Sequence, residues 1–400
     1  MKTSVAKVGI LNVANRGPWS PAKVIVSVLL GEQALTAAIG IAGGLWPQRA
    51  LGFLVGLIIG QLILNGLAIF FLVLGSGLRP SRPRAFAWCL GALVMAAIIK
   101  NLHVSPESSV IDLIRLTMPL LWVALIPDNI AGEFIRQVAR WRMLLVVILT
   151  IQLAGLVAGR IAGWGGGYLS GDPLTGLLVF PAIVTGEWSS GSILTAVLVA
   201  PLLLGSLKRT AWVSIAVVMA LLGVSALRGV SRPAIGRGVL LMLVGLVAVF
   251  AAVQLRDGGK QIDVRARSLA ASLSQPSSDV SFGQRIDEVN VEWKRLEAAP
   301  VQTIIVGVSS ERTRLPNGLS THAIHNTPAF LLFWGGLIWL IALLIASRQS
   351  VTRSSPESWL LVIVGIGTLV DSLGGNTSLA PSFGFALAIT LSRLKGTLIK

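Results

Sequence analysis

Residues 173–186 read PLTGLLVFPAIVTG. This stretch is short for a membrane span and carries proline and glycine, yet whether it crosses a bilayer decides the orientation of everything after it. Eleven stronger apolar segments surround it, near 24–45, 51–78, 85–100, 109–126, 143–163, 191–207, 211–227, 238–254, 328–347, 358–371 and 378–392. Most approach the length of about 20 apolar residues that a helix needs to span hydrocarbon. Cytoplasmic loops are enriched in lysine and arginine. If 173–186 crosses, one side receives the N-terminus, Arg79/Arg82/Arg84, Arg136/Arg140/Arg142, Arg228/Arg232/Arg237, Arg348/Arg353 and Arg393/Lys395/Lys400. Without that crossing the later clusters change sides and the bias disappears. The segment is therefore counted, which gives twelve spans with both termini inside.

Composition agrees with this reading. The chain is 54% hydrophobic, only 12% charged, and has a mean hydropathy of +0.79, values that exclude an ordinary soluble domain. A β-barrel would show alternating segments of roughly ten residues instead. The expected fold is an all-α polytopic membrane protein of about 12 transmembrane helices. The net charge of +16 reports topology in such a chain and gives no reason to expect nucleic acid as a partner. Lys2, Lys7, Arg16 and Lys23 precede the first apolar run, which has no evident small-residue cleavage site, so a retained span is expected rather than a signal peptide. Cys89, the single cysteine, lies within an apolar run, so no intrachain disulfide forms.

Three regions follow: nine spans over 1–254, a long external loop over 255–327, and three spans over 328–400. The loop's nine Lys/Arg nearly balance its eight Asp/Glu. Within SFGQRIDEVNVEWKRLEAAP, Ile286, Val289, Trp293 and Leu296 recur at three- and four-residue steps, which predicts an amphipathic helix ending before Pro300. At the loop's end Thr327 and Pro328 read as the N-cap and first position of the tenth span. Two of the three histidines, His322 and His325, stand just ahead of that helix at the outer interface. A histidine there either removes a proton from a hydroxyl, its ordinary pKa near 6.5 suiting it to act as base, or merely bonds loop backbone.

The stretch HNTPAFLLFWGGLIW, with His325, Asn326 and then Gly336 after nine intervening residues, resembles the His-Asn…Gly pattern of the bacterial O-antigen ligase and O-antigen polymerase family. These are inner-membrane glycosyltransferases that act on undecaprenyl-pyrophosphate-linked glycans. SFGQR, ending in Arg285 with Trp293 after it, resembles the family's Ser-Gly-Arg segment. GSLKRTAW, with Arg209 opening a span, resembles its Ser-Arg motif, and Gly307 in IIVGVSS resembles its glycine-rich stretch. The resemblance covers about 190–345. Lys208 stands where the family has serine, Gln284 separates Gly283 from Arg285, and Trp339 occupies a position usually held by glycine, threonine or tyrosine. The literal Ser-Arg pair at 231–232 falls on the cytoplasmic side and is set aside.

The resemblance implies a donor of undecaprenyl-pyrophosphate-linked glycan, a lipid-linked sugar acceptor on the periplasmic face, and metal-independent transfer. The chemistry is consistent with these residue types. Breaking a glycosyl–pyrophosphate bond leaves a lipid diphosphate, and arginine's planar, permanently charged fork bonds phosphate oxygens in pairs. Arg209 and Arg285 are thus expected to hold the pyrophosphate while His325 activates the acceptor hydroxyl, with Asn326 beside it; direct displacement inverts the anomeric configuration. Lys208 adds charge or anchors at the interface. Three histidines and one cysteine show no metal-ligand spacing, and no Asp-x-Asp pair occurs in the external segments, so no metal or other cofactor is expected.

Several further residues have two readings. Trp293 stacks on a sugar or packs the loop helix onto the membrane. Tyr168, in GWGGGYLSGDP, lines a glycan entrance or sits in a plain turn. Trp46, Trp164, Trp188, Trp212, Trp334 and Trp359 fall near span ends and read as interface anchors. Charges inside spans raise functional suspicion. Asp112 and Arg115 share a helix face and either neutralise each other or serve a site, while Asp371 lies near the outer end of the eleventh span. Glu32 marks a cavity, a proton path or a buried bond to another helix. The functional expectation is a ligase that moves the glycan to a lipid A-core sugar. The alternatives are a polymerase of the same family, or a secondary transporter or lipid-linked-sugar flippase, although the long loop with its histidine argues against transport.

Overall fold

The computed structural model describes residues 20–45, 50–76, 83–101, 106–126 and 130–161, positions within 287–307, 313–314, 320–321, 327–347 and 379–398. Six helices run in order through the first part: α1 (Pro21–Leu45), α2 (Ala50–Ser76), α3 (Pro83–Asn101), α4 (Pro106–Leu125), α5 (Ile130–Arg140) and α6 (Arg142–Ile161). After them come the short α7 (Val301–Val306), a two-stranded antiparallel pair, β1 (Thr313–Arg314) with β2 (Ser320–Thr321), then α8 (Thr327–Ser347) and α9 (Pro381–Leu398). The described chain is all-α apart from that pair, in which Thr313 faces Thr321 and Arg314 faces Ser320. The spans expected at 173–186, 191–207, 211–227, 238–254 and 358–371 lie outside the described residues.

Proline marks where several helices begin. α1, α3, α4 and α9 open on Pro21, Pro83, Pro106 and Pro381, positions where the missing N–H has no intrahelical partner to lose and the fixed φ favours the first turn. Ser20 precedes α1 and its hydroxyl accepts from the Lys23 N–H at 3.4 Å. Among the described residues, two helical stretches are long and apolar enough to cross a membrane, Pro21–Ala42 and Val55–Leu74. The second is mostly uncovered: Val55, Ile59, Ile63, Phe70, Val73 and Leu74 are all exposed. Met95 and Ile99 on α3, Met143 and Val147 on α6, and Leu337 and Leu344 on α8 continue this apolar exterior, of a kind that soluble monomers rarely display.

The core lies where α1 packs on α2 and α6, α9 packs on α4, and α8 packs on α3 and α4. Trp122, Phe134 and Phe385 meet at its centre: the Trp122 and Phe385 rings are edge to face at 6.4 Å, and Phe134 tilts against Phe385 at 4.7 Å. Gly384 admits the indole, because a Cβ there would come within 2.4 Å of Trp122 Cδ1. Helix α5 corrects the sequence reading, which treated Arg136, Arg140 and Arg142 as a basic loop. Phe134, Ile135 and Val138 are buried while Arg136 and Arg140 are exposed, so the segment is an amphipathic helix between α4 and α6 with its basic residues on the outer face.

Candidate functional site

Of the residues expected to carry chemistry, His325, Asn326, Arg285, Arg209, Lys208 and Tyr168 lie outside the described residues. What is described is the framework next to three of them. α8 begins at Thr327, directly after Asn326. The sequence reading made this helix continuous, but Gly336 interrupts it at φ 58° and ψ −159°. The helix is therefore two half-helices, the outer ending at Gly335 and the inner starting beyond Gly336. Nine residues at about 1.5 Å each place the break about 13 Å along the axis from Thr327.

The break has a partner. α7 ends at Gly307, whose N–H bonds Thr303 O at 2.8 Å and whose φ is 81°. A Cβ added at Gly307 would lie 2.2 Å from Trp334 O, and one added at Gly336 would lie 2.5 Å from Gly307 N and 2.6 Å from Ile305 O. Both positions combine a left-handed φ with backbone contact on the side where a side chain would project, so each requires glycine. The carbonyl oxygens of Ile304 and Ile305, at the C-terminal end of α7, lie on the side of Gly336 where a side chain would project.

Trp293 is the one expected site residue that is described. It is 54% exposed, its indole N–H donates to Glu297 Oε1, and its ring stands edge to face on Phe333 at 6.4 Å. The described positions between 287 and 297 are helical, with Leu296 packed against the core, as the periodicity predicts. Trp293 thus packs the loop helix on α8 and still presents much of its surface outward. Trp334, expected as an interface anchor, is instead buried beside the Gly307 junction. Trp339 is buried as well and donates to Leu116 O at 2.9 Å, tying the inner half of α8 to α4.

The charged groups inside the helices resolve differently. Glu32 is only 1% exposed, and it accepts the Ser382 backbone N–H at 2.9 Å and the Ser382 hydroxyl at 3.0 Å. Its carboxylate caps the start of α9 from another helix, so of the three readings of Glu32 the structure displays the buried bond. Close by in sequence to Ser382, Leu379 O accepts from the Asn65 amide, whose own oxygen accepts the Trp122 indole N–H at 2.6 Å. Arg115 Nη1 reaches Asp112 Oδ1 at 3.4 Å on one face of α4. Nothing in the sequence pointed to Asn65; its only signal was being an amide inside an apolar run. Among the described residues no group of three or more His, Cys, Asp or Glu is placed to hold a metal ion. No family model, curated protein or solved structure matches the chain.

Proposed function

We propose that the chain is an integral membrane glycosyltransferase of the O-antigen ligase and polymerase type, with about twelve spans, residing in the bacterial inner membrane with its site on the periplasmic face. It moves a glycan from undecaprenyl pyrophosphate to a lipid-linked sugar, the ligase acceptor being a lipid A-core sugar. His325 takes the proton of the acceptor hydroxyl as it attacks the anomeric carbon. Arg209 and Arg285 hold the pyrophosphate that departs, neutralising charge where it develops. Asn326 and Lys208 flank these groups, and Trp293 and Tyr168 supply surface for sugar.

The observation that carries this reading is the meeting of Gly307 and Gly336. These glycines belong to two separate segments matched to the family pattern, and a backbone contact between them gives a physical reason for glycine at that spacing from the His-Asn pair. The exposed outer face of Trp293, held against the same half-helix, supports it further. The transport reading loses one support, because Glu32 is engaged by Ser382 and Arg115 bonds Asp112.

Reconstitution tests the proposal. The purified chain in vesicles with lipid-linked glycan and acceptor should form product with neither nucleotide nor ion gradient. His325→Ala should slow it by about 10²–10⁴-fold, the usual contribution of a general base, and Arg285→Ala by about 10²-fold, with both variants inserting normally. Gradient-dependent movement without transfer would instead support a transporter, and full activity in both variants would remove the assigned roles.

A further inference from the structure

We infer that Gly307 and Gly336 form a positioning joint: α7 wedges its C-terminal end into the break in α8 and thereby fixes the direction of the outer half-helix, Thr327–Gly335. The inference rests on the proposed function for its catalytic consequence, though the joint itself does not.

Three features argue for it. First, an interrupted helix frees backbone groups that need protein partners where no water reaches, and both Gly307 and Gly336 are buried. Second, the contact is made by main chain on both sides, Trp334 O against Gly307 and Ile305 O against Gly336. Such a contact has no rotamer freedom to absorb an error, so a displacement of α7 moves the half-helix with it. Third, the outer half is held again one turn away by Trp293 on Phe333, whereas the inner half is held separately by Trp339 on Leu116 O. Trp293 thus ties the outer half to the external segment and Trp339 ties the inner half to α4, with Leu116 of α4 also lying beside Gly335. The outer half opens at Thr327, one residue after Asn326, so its direction sets how the His-Asn pair enters the membrane surface. Gly307 and Gly336 are positioning residues in this sense, distant along the chain from the reacting groups and acting through α8.

The test uses the full chain. Gly336→Ala and Gly307→Ala, compared with the control Gly91→Ala, whose Cβ would meet nothing within 4 Å, should lower kcat about 100-fold, as a misplacement near 1 Å does. The donor KM should stay within a factor of about three. Wild-type kcat in either joint variant, or a loss that appears wholly in KM, would overturn the inference. A second measurement needs no change at either glycine. Ile305→Cys with Leu337→Cys, in a Cys89→Ala background, is bridged by a short bifunctional thiol reagent. Bridging should proceed efficiently and leave transfer as it was in the unbridged variant. Failure to bridge, or transfer lost on bridging, would overturn the joint. If the unmodified protein transfers no glycan, the proposed function fails by itself. The joint is then judged by bridging, which should fall sharply in Gly336→Ala and would overturn it if unchanged.

Discussion

Two regions of the same helix bundle handle buried polar groups in opposite ways. Where α1, α2, α4 and α9 meet, side chains do the bonding: Glu32 caps α9 through Ser382, and Asn65 joins Trp122 to Leu379 O. Where α7 meets α8, main chain touches main chain at Gly307 and Gly336, and a tryptophan beside it stays half open. The first arrangement engages Glu32 and Asn65 in bonds between helices. The second is a side-chain-free contact within the helix that follows the His-Asn pair in sequence. The comparison assigns stability to the first region and positioning to the second.

Substitutions can break that assignment. The largest effect is expected at Trp122, which is buried and central to the aromatic cluster. Trp122→Ala should destabilise the detergent-purified protein by about 3–5 kcal/mol, with Trp122→Phe losing less because an aromatic ring stays in the cluster although the bond to Asn65 and part of the packing are lost. Equal unfolding curves for wild type and Trp122→Ala would show that this cluster is not the core. Glu32→Ala comes next. It strips the acceptor from two Ser382 donors, and at about 0.5–1.5 kcal/mol net for each hydrogen bond the loss should be about 1–3 kcal/mol. A double-mutant cycle with Ser382→Ala should show coupling through the hydroxyl, and additive effects would deny that side-chain bond.

Asn65→Leu should have a smaller effect, about 1 kcal/mol, in line with interhelical hydrogen bonds in membranes. Transfer measured on the surviving folded fraction should remain near wild type in all of these variants; a specific loss of turnover in any would move that residue into the site. Trp293→Ala is expected to alter stability least, within about 0.5 kcal/mol for an exposed position, yet to raise the KM for glycan. An unchanged KM would leave it a packing residue only.

Much of the fold was legible because it depends on local chemistry. Hydropathy placed the starts of α1, α3, α4 and α9 within three residues of where they fall, and the steps of Ile286, Val289, Trp293 and Leu296 predict the loop helix, whose described positions are helical. What escaped depends on distant chain. Glu32 finds its partner 350 residues away, so no window of sequence reveals which of its readings holds. The break at Gly336 has no local mark beyond a Gly-Gly pair; what meets it, Gly307, lies 29 residues earlier in the chain. α5 was masked by its own arginines, which drew attention to charge and away from Phe134, Ile135 and Val138. Trp334 was misjudged for a similar reason, since nearness to a helix end says nothing about what packs there.

The account stands on three cationic or basic groups meeting on one side of the membrane, and thiol accessibility reads this directly. Single cysteines are placed at 209, 285 and 325 in a Cys89→Ala background and exposed to a membrane-impermeant maleimide in intact cells whose outer membrane has been made permeable. All three should label from the periplasm without disruption of the inner membrane, and lipid-linked pyrophosphate should slow labelling at each. Labelling of any one of them only after the inner membrane is opened would contradict the account.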